Sequence, residues 1–275
     1  RKGKDNLVCI NLDTRKTYAL SREKENEVYS FQWINEKRLI FEMVDKNQGR
    51  NGGLYAVNRD GAKPKVLNAS VKGQIEHGAR VVTLVSLLDT LDDSPEILAL
   101  SVQPSVTISE DRSGFPDVVR INTLTGRSRL ELRNPGNVLE WVTDQDGVVR
   151  VSVAQKDLTV TIRHRRDAAS KWEVIHEADF RDAIEPLGFG KDPNILYVAA
   201  HNGDKKALFS FNIKERKQGK MIFSHAQFDV PAGAPMVSKK NDRVLGVPFH
   251  AERSQILWLD TEYKKYQAMI DQAFP

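Results

Sequence analysis

One pattern recurs six times along this chain, and it limits the fold more than any other feature. An apolar run of period two meets a turn rich in Asn, Asp or Gly. A second run follows and decays into Lys, Arg, Ser and Thr. Leu7-Val8-Cys9-Ile10-Asn11-Leu12-Asp13-Thr14 runs on to Thr17-Tyr18-Ala19-Leu20, and Leu54-Tyr55-Ala56-Val57-Asn58-Arg59-Asp60-Gly61 leads to Lys65-Val66-Leu67. Val118-Val119-Arg120-Ile121-Asn122 crosses Gly126 to Arg129-Leu130-Glu131-Leu132. Leu158-Thr159-Val160-Thr161-Ile162 closes at Trp172-Glu173-Val174-Ile175, and Leu208 to Ile213 runs on to Lys220-Met221-Ile222-Phe223. Ile256-Leu257-Trp258-Leu259-Asp260 opens a last copy. Period-two alternation ended by such turns is the signature of a β-hairpin. Hairpins repeated at roughly 40–65 residues match the outer halves of successive four-stranded blades.

A second type of hairpin precedes most of the first. Phe31 to Ile34 and Arg38 to Phe41 flank a turn at Asn35-Glu36-Lys37; Val138 to Val142 and Val148 to Val153 flank Asp144-Gln145-Asp146-Gly147. Leu187-Gly188-Phe189 and Ile195 to Val198 flank Asp192-Pro193-Asn194, and Met236-Val237-Ser238 and Arg243 to Val247 flank Asn241-Asp242. A less regular copy pairs Val81 to Val85 with Ile97 to Val102 around an acidic loop, Asp89 to Pro95. The fixed alternation of two hairpin types favours an all-β propeller of four-stranded blades over a plain β-sandwich. The expected blades span about residues 27–68, 78–132, 137–176, 184–224 and 234–268.

The strand count leaves a remainder. Asp5 to Leu20 is an outer hairpin with no inner hairpin before it, followed by about five blades. Thr261 to Phe274 carries Tyr263, Tyr266, Ala268, Met269, Ile270 and Ala273 at three- and four-residue spacings, which predicts a short amphipathic helix rather than a closing strand. The expectation is one propeller domain over residues 1–275, an incomplete ring cut from a longer protein, with the helix at 261–274. An unclosed ring leaves strand edges open, so edge-to-edge association or disorder near Asp5 to Leu20 is expected. Tyr263, Tyr266 and Ile270 are then expected to be partly exposed or buried against a neighbouring copy.

Composition sets the outer bounds. Hydrophobic residues make up 40% and charged residues 28% of 275, ordinary values for a globular chain with a large core. No run has the length needed to cross a bilayer, and no targeting segment is legible, so localisation is open. Cys9 is the one cysteine; placed between Val8 and Ile10 it reads as a small buried apolar residue. Lys and Arg number 41 against 37 Asp and Glu, a net charge of +4. The basic residues are scattered, apart from Arg163-His164-Arg165-Arg166 at an outer hairpin turn. With no RNP-type or zinc-ligand spacing beside it, this cluster reads as a solvated blade edge, and no nucleic-acid partner is expected.

Motifs that carry chemistry are missing from the sequence. It has no Gly-x-Ser-x-Gly elbow, no phosphate-cradling Gly-x-x-x-x-Gly-Lys-Ser/Thr loop and no His-Glu-x-x-His pair. His77, His164, His176, His201, His225 and His250 are dispersed without metal-ligand spacing, and His201-Asn202-Gly203-Asp204 reads as hairpin turn chemistry. Asp89, Asp92 and Asp93 lie in an acidic loop without a calcium-loop pattern. Trp33 and Trp141 hold equivalent places in inner hairpins and are expected to be blade-packing residues rather than a stacking platform. The reading therefore names no catalytic, metal or cofactor site and leaves any binding residues open. The long segments Asp45 to Gly53 and Gln103 to Pro116 are candidate binding loops.

The hairpin wording resembles the propeller of the prolyl-oligopeptidase family of serine peptidases. Phe31-Gln32-Trp33-Ile34-Asn35-Glu36-Lys37-Arg38-Leu39-Ile40-Phe41 is similar to that family's inner hairpin, and Gly52-Gly53-Leu54-Tyr55-Ala56-Val57-Asn58-Arg59-Asp60-Gly61 to its outer hairpin. Trp258-Leu259-Asp260 leading into a helix that ends Ala273-Phe274-Pro275 resembles a late propeller segment. The resemblance implies a non-catalytic propeller that caps an active site and restricts entry to short peptides. Its implied partners are an α/β-hydrolase domain of the same parent chain, which would carry Ser, Asp and His, and peptide substrates. No catalytic residue transfers to this sequence. Generic TolB-like and WD-type propellers share parts of these motifs, so a stand-alone interaction propeller is the alternative. A glycosidase-like five-bladed propeller is a third option, whose acid spacing at a central funnel sequence does not reveal.

Overall fold

A computed structural model describes residues 5–22, 26–44, 52–79, 81–92, 94–103, 114–238 and 243–273. The chain divides into two compact units, Arg1–Val138 and Leu139–Pro275.

In the first unit, β1 (Val8–Ile10) and β2 (Thr17–Ala19) form a two-stranded antiparallel sheet, Cys9 opposite Tyr18. A four-stranded antiparallel sheet follows: β3 (Glu27–Asn35), β4 (Arg38–Val44), β5 (Leu54–Asn58) and β6 (Lys65–Asn68), ordered as in the chain. Its span matches the expected 27–68. A short helix, α1 (Val71–Glu76), then leads to β7 (Leu84–Thr90), β8 (Glu96–Val102), β9 (Asp117–Asn122) and β10 (Ser128–Leu132), again a four-stranded sheet in chain order. Ile34, Ile40, Leu54 and Ala56 of one sheet pack on Ile97, Ala99 and Ile121 of the next. On the opposite face, Leu39, Phe41, Met43 and Val57 pack with Leu20, Tyr18 and Cys9. Cys9 is accordingly half-buried in this contact rather than enclosed.

Two details correct the sequence reading here. The first strand of the second sheet begins at Leu84, not Val81, and extends through Asp89, so the acidic turn is shorter than expected. The cause is α1, which the sequence reading missed. Ser70 caps it by accepting a hydrogen bond from the Gly73 backbone N–H, and the Gln74 side chain bonds both Thr83 N and Thr83 O, holding Val81–Thr83 off the ladder. Asp93 and most of the two candidate loops, 45–51 and 104–113, lie outside the described residues.

The second unit repeats the scheme. β11 (Val138–Thr143), β12 (Val149–Lys156), β13 (Thr159–His164) and β14 (Glu173–Asp179) form one four-stranded sheet; β15 (Glu185–Phe189), β16 (Ile195–Asn202), β17 (Lys205–Asn212) and β18 (Lys217–Phe223) form the next. β19 (Met236–Val237), β20 (Val244–His250) and β21 (Ser254–Trp258) make a three-stranded sheet, and α2 (Thr261–Ala273) takes the chain position of a fourth strand. The expected turn at Asn241-Asp242 lies outside the described residues. Asp260 starts α2, its Oδ1 accepting from the backbone N–H groups of Glu262 and Tyr263. The helix buries none of its residues: Tyr263, Tyr266, Met269 and Ile270 are exposed, as its sequence led one to expect for three of them.

Burial explains the two kinds of run. β16 is buried from Leu196 through Ala200 because both its faces are covered. Leu196, Val198 and Ala200 join a core with Val151, Ile162 and Phe211, and Tyr197 packs with Leu208 and Val247. The outermost strands β10 and β18 face solvent, which is why their sequences turn to Arg, Ser, Lys and Gln. Turn chemistry works as its residues indicate. Asn122 Oδ1 accepts from the N–H groups of Leu124 and Thr125, and Gly126 supplies a φ of 75°.

Candidate functional site

Within the second unit the Arg163–Arg166 cluster is not a plain solvated edge. Its His164, Arg165 and Arg166 line one wall of a cleft between the β11–β14 and β15–β18 sheets, with a volume of about 450 Å3. Arg150, His164, Arg165 and Arg166 come from the first sheet and its β13–β14 turn. The β15–β16 turn contributes Asn194, and the β17–β18 turn contributes Lys214 and Arg216. Ser170, Lys171 and Glu173 complete the polar lining, with Ile175 and Ile213 as the apolar floor. The turns converge because in each sheet the first–second and third–fourth connections lie at the same end of an up-and-down antiparallel array.

Arg150 organises the inner end. Its side chain is only 7% exposed. Its Nε donates to the Arg165 carbonyl at 3.1 Å, its Nη1 to Asp144 Oδ2 at 3.5 Å, and its Nη2 to His164 Nε2 at 2.9 Å and more loosely to the Pro193 carbonyl at 3.4 Å. Its guanidinium lies over the Phe189 ring, 4.9 Å from the centroid. The guanidinium has no acceptor, so His164 Nε2 must be the lone-pair nitrogen. The neutral ring then carries its proton on Nδ1. Burial, then the Arg150 charge, lower the His164 pKa from 6.5 to about 4, against a weaker opposing pull from Glu173.

Arg165 forms the next layer. Its Nε donates to the Val149 carbonyl at 2.8 Å and its Nη1 to the Ala168 carbonyl at 3.0 Å, with the guanidinium 4.8 Å from the Trp172 centroid. Trp172 also packs on Trp141 at 5.9 Å, burying Trp141 as expected. At the rim, Arg166 pairs with Asp167 at 3.1 Å and Arg216 with Glu173 at 3.4 Å. Asp192 accepts from Asn194 through both its backbone N–H and its Nδ2.

Sequence reasoning noticed one strand of this site and missed the rest. Arg150, Lys171, Lys214 and Arg216 are distant in sequence from the cluster, and only the pairing of two sheets brings them to it. The expectation for Trp33 also fails. It is 44% exposed, although its counterpart Trp141 is buried. Trp33 sits on the edge strand β3, two residues from the likewise exposed Phe31, and among the described residues no aromatic ring packs on it as Trp172 does on Trp141. His201-Asn202-Gly203-Asp204 is the β16–β17 turn, with Asn202 opposite Lys205 and Gly203 at a φ of 69°. Among the described residues no group of three or more His, Cys, Asp or Glu side chains is placed to hold a metal ion. Among them, too, no helix is long and apolar enough to cross a membrane.

The fold is a β-propeller. No protein-family model and no curated protein matches the sequence. Solved structures do match. An oligogalacturonate lyase in complex with manganese aligns with a TM-score of 0.56 at 12% identity, covering 94% of this chain and 72% of the lyase. A prolyl endopeptidase aligns with a TM-score of 0.56 at 11% identity, covering 94% of this chain and 39% of its own. A protein assigned as TolB from Agrobacterium tumefaciens aligns with a TM-score of 0.53 at 13% identity, covering 90% and 77%. At these identities the likeness is one of fold.

Proposed function

We propose that this chain is the non-catalytic propeller of a prolyl-oligopeptidase-like serine peptidase, capping the active site of an α/β-hydrolase domain in the same parent chain and limiting entry to short peptides. One correspondence carries the reading. The two segments that resemble that family's inner and outer hairpins fall on adjacent strands of a single blade, β3–β4 for Phe31 to Phe41 and β5 with its turn for Leu54 to Gly61. The uncovered Tyr266, Met269 and Ile270 on α2 are consistent with a neighbouring domain at that helix. The test is the coding sequence beyond Pro275. A Gly-x-Ser-x-Gly elbow followed by Asp and His, together with peptide-ester hydrolysis by the full-length protein and none by residues 1–275, is the expected result. A downstream sequence without that elbow sinks the reading.

A second reading, a stand-alone TolB-like interaction propeller, is favoured by the aromatic stripe of β3. Phe31 and Trp33 are 58% and 44% exposed and lie two residues apart on one face of an edge strand, with Tyr29, 51% exposed, at the bulge before them. Such a row suits contact with another protein. Pull-down of a defined partner by the wild type but not by Phe31→Ser/Trp33→Ser would move weight to this reading.

A further inference from the structure

We infer that the basic cleft between the β11–β14 and β15–β18 sheets is a binding site for a phosphomonoester, independent of whether the parent is a peptidase. Charge is the first argument. The lining holds six cations, Arg150, Arg165, Arg166, Lys171, Lys214 and Arg216, and one carboxylate, Glu173. Three more carboxylates are bonded to lining residues: Asp144 to Arg150, Asp167 to Arg166 and Asp192 to Asn194. The six cations of the lining outnumber these four carboxylates, an excess of positive charge that suits the dianion of a phosphomonoester near neutral pH.

Preorganisation is the second argument. Arg150 and Arg165 are not loose surface side chains. Main-chain carbonyls of Arg165, Pro193, Val149 and Ala168 fix them, and the Phe189 and Trp172 rings support their flat faces. Guanidinium groups held in place lose little entropy when they meet an oxyanion. Lys171 and Lys214 stand at the cleft as point charges suited to phosphate oxygens. Size is the third. A volume of about 450 Å3 is that of a small-molecule pocket, roomy for a phosphorylated sugar or a headgroup. A nucleic-acid backbone would instead need an extended charged track, and the cleft is confined to Arg150 and the β13–β14 turn on one sheet and two turns on the other.

The test uses residues 1–275 as they stand and the probe glucose 6-phosphate, with glucose as the uncharged control. Isothermal titration should show saturable binding of glucose 6-phosphate, none of glucose, and competition by inorganic phosphate. Arg166→Gln/Lys171→Gln alters two lining positions at the rim, so folding, checked by circular dichroism, should persist while affinity falls about tenfold or more. Arg165→Gln should weaken binding further. Vesicles separate two sources of the same group. Co-sedimentation with phosphatidic acid but not phosphatidylcholine, lost in the double variant, would support the site with a lipid ligand. Binding of the soluble ester without co-sedimentation supports it with a soluble one. No saturable binding of glucose 6-phosphate, equal binding by the folded double variant, or binding of oligonucleotides alone would overturn the inference.

Discussion

Arg150 donates a hydrogen bond to His164 Nε2 at 2.9 Å, and this fixes both the charge and the tautomer of the histidine. Protonating Nε2 would remove the acceptor and set two cations against each other. The consequence is a pH dependence of stability with a definite sign. The folded pKa of about 4 lies below the ordinary 6.5, so the unfolded chain takes up the proton first as pH falls. The contribution of neutral His164 is therefore complete above 6.5 and is lost progressively down to about 4. Urea midpoints measured across that range should fall for the wild type. His164→Gln, which keeps an acceptor oxygen, should fall less steeply. His176, whose pKa burial also lowers, remains in both proteins and cancels in the difference. Parallel curves for the two proteins would contradict the assignment.

Arg38 is the counterpart of Arg150 in the first unit. It is 3% exposed, and it donates to Asn58 Oδ1 and the Lys63 carbonyl in its own sheet and to Thr123 Oγ1 and the Thr123 carbonyl beside the next. Arg38→Met should cost about 2–4 kcal/mol, because it leaves those acceptors without their donor. Chemical denaturation measures it. Arg38→Lys should recover only a small part, since one ammonium does not span both sheets.

The two equivalent tryptophans should respond differently to truncation. Trp141→Ala should cost about 3–5 kcal/mol, as for a large buried aromatic. Trp33→Ala should change stability by about 1 kcal/mol or less, given its exposure. Similar losses at both positions in a denaturant titration would show that β3 is covered in solution.

Gly53 sits at a φ of 100°, where a Cβ would lie 2.7 Å from the Asn68 carbonyl oxygen and 3.0 Å from Ser70 N. Neither atom is free to move, because both belong to the backbone. Gly53→Ala should destabilise by about 2–3 kcal/mol through strain and overlap together. Gly203→Ala, also at positive φ but with nothing within 4 Å, should cost less. The difference between their melting temperatures is the readout.

Much of this architecture is written in short-range pattern. Period two and Asn/Asp/Gly turns mark almost every strand, since side-chain alternation and turn conformation are properties of a few neighbouring residues. The 27–68 blade and the helix after Asp260 are legible for that reason. The start of β7 is not, because Gln74 settles it by bonding Thr83 across α1. Alternation says which residues share a face, and nothing in it says what covers that face. Trp33 and Trp141 carry the same local signal, yet a neighbour at Trp172 buries only the latter. The basic cleft follows the same logic. Arg163-His164-Arg165-Arg166 is visible as a run of charge, but Arg150, Lys214 and Arg216 join it only when two sheets pack through Val151, Ile162, Phe189 and Phe211. Local chemistry determined the strands; long-range apolar packing decided which charged turns meet.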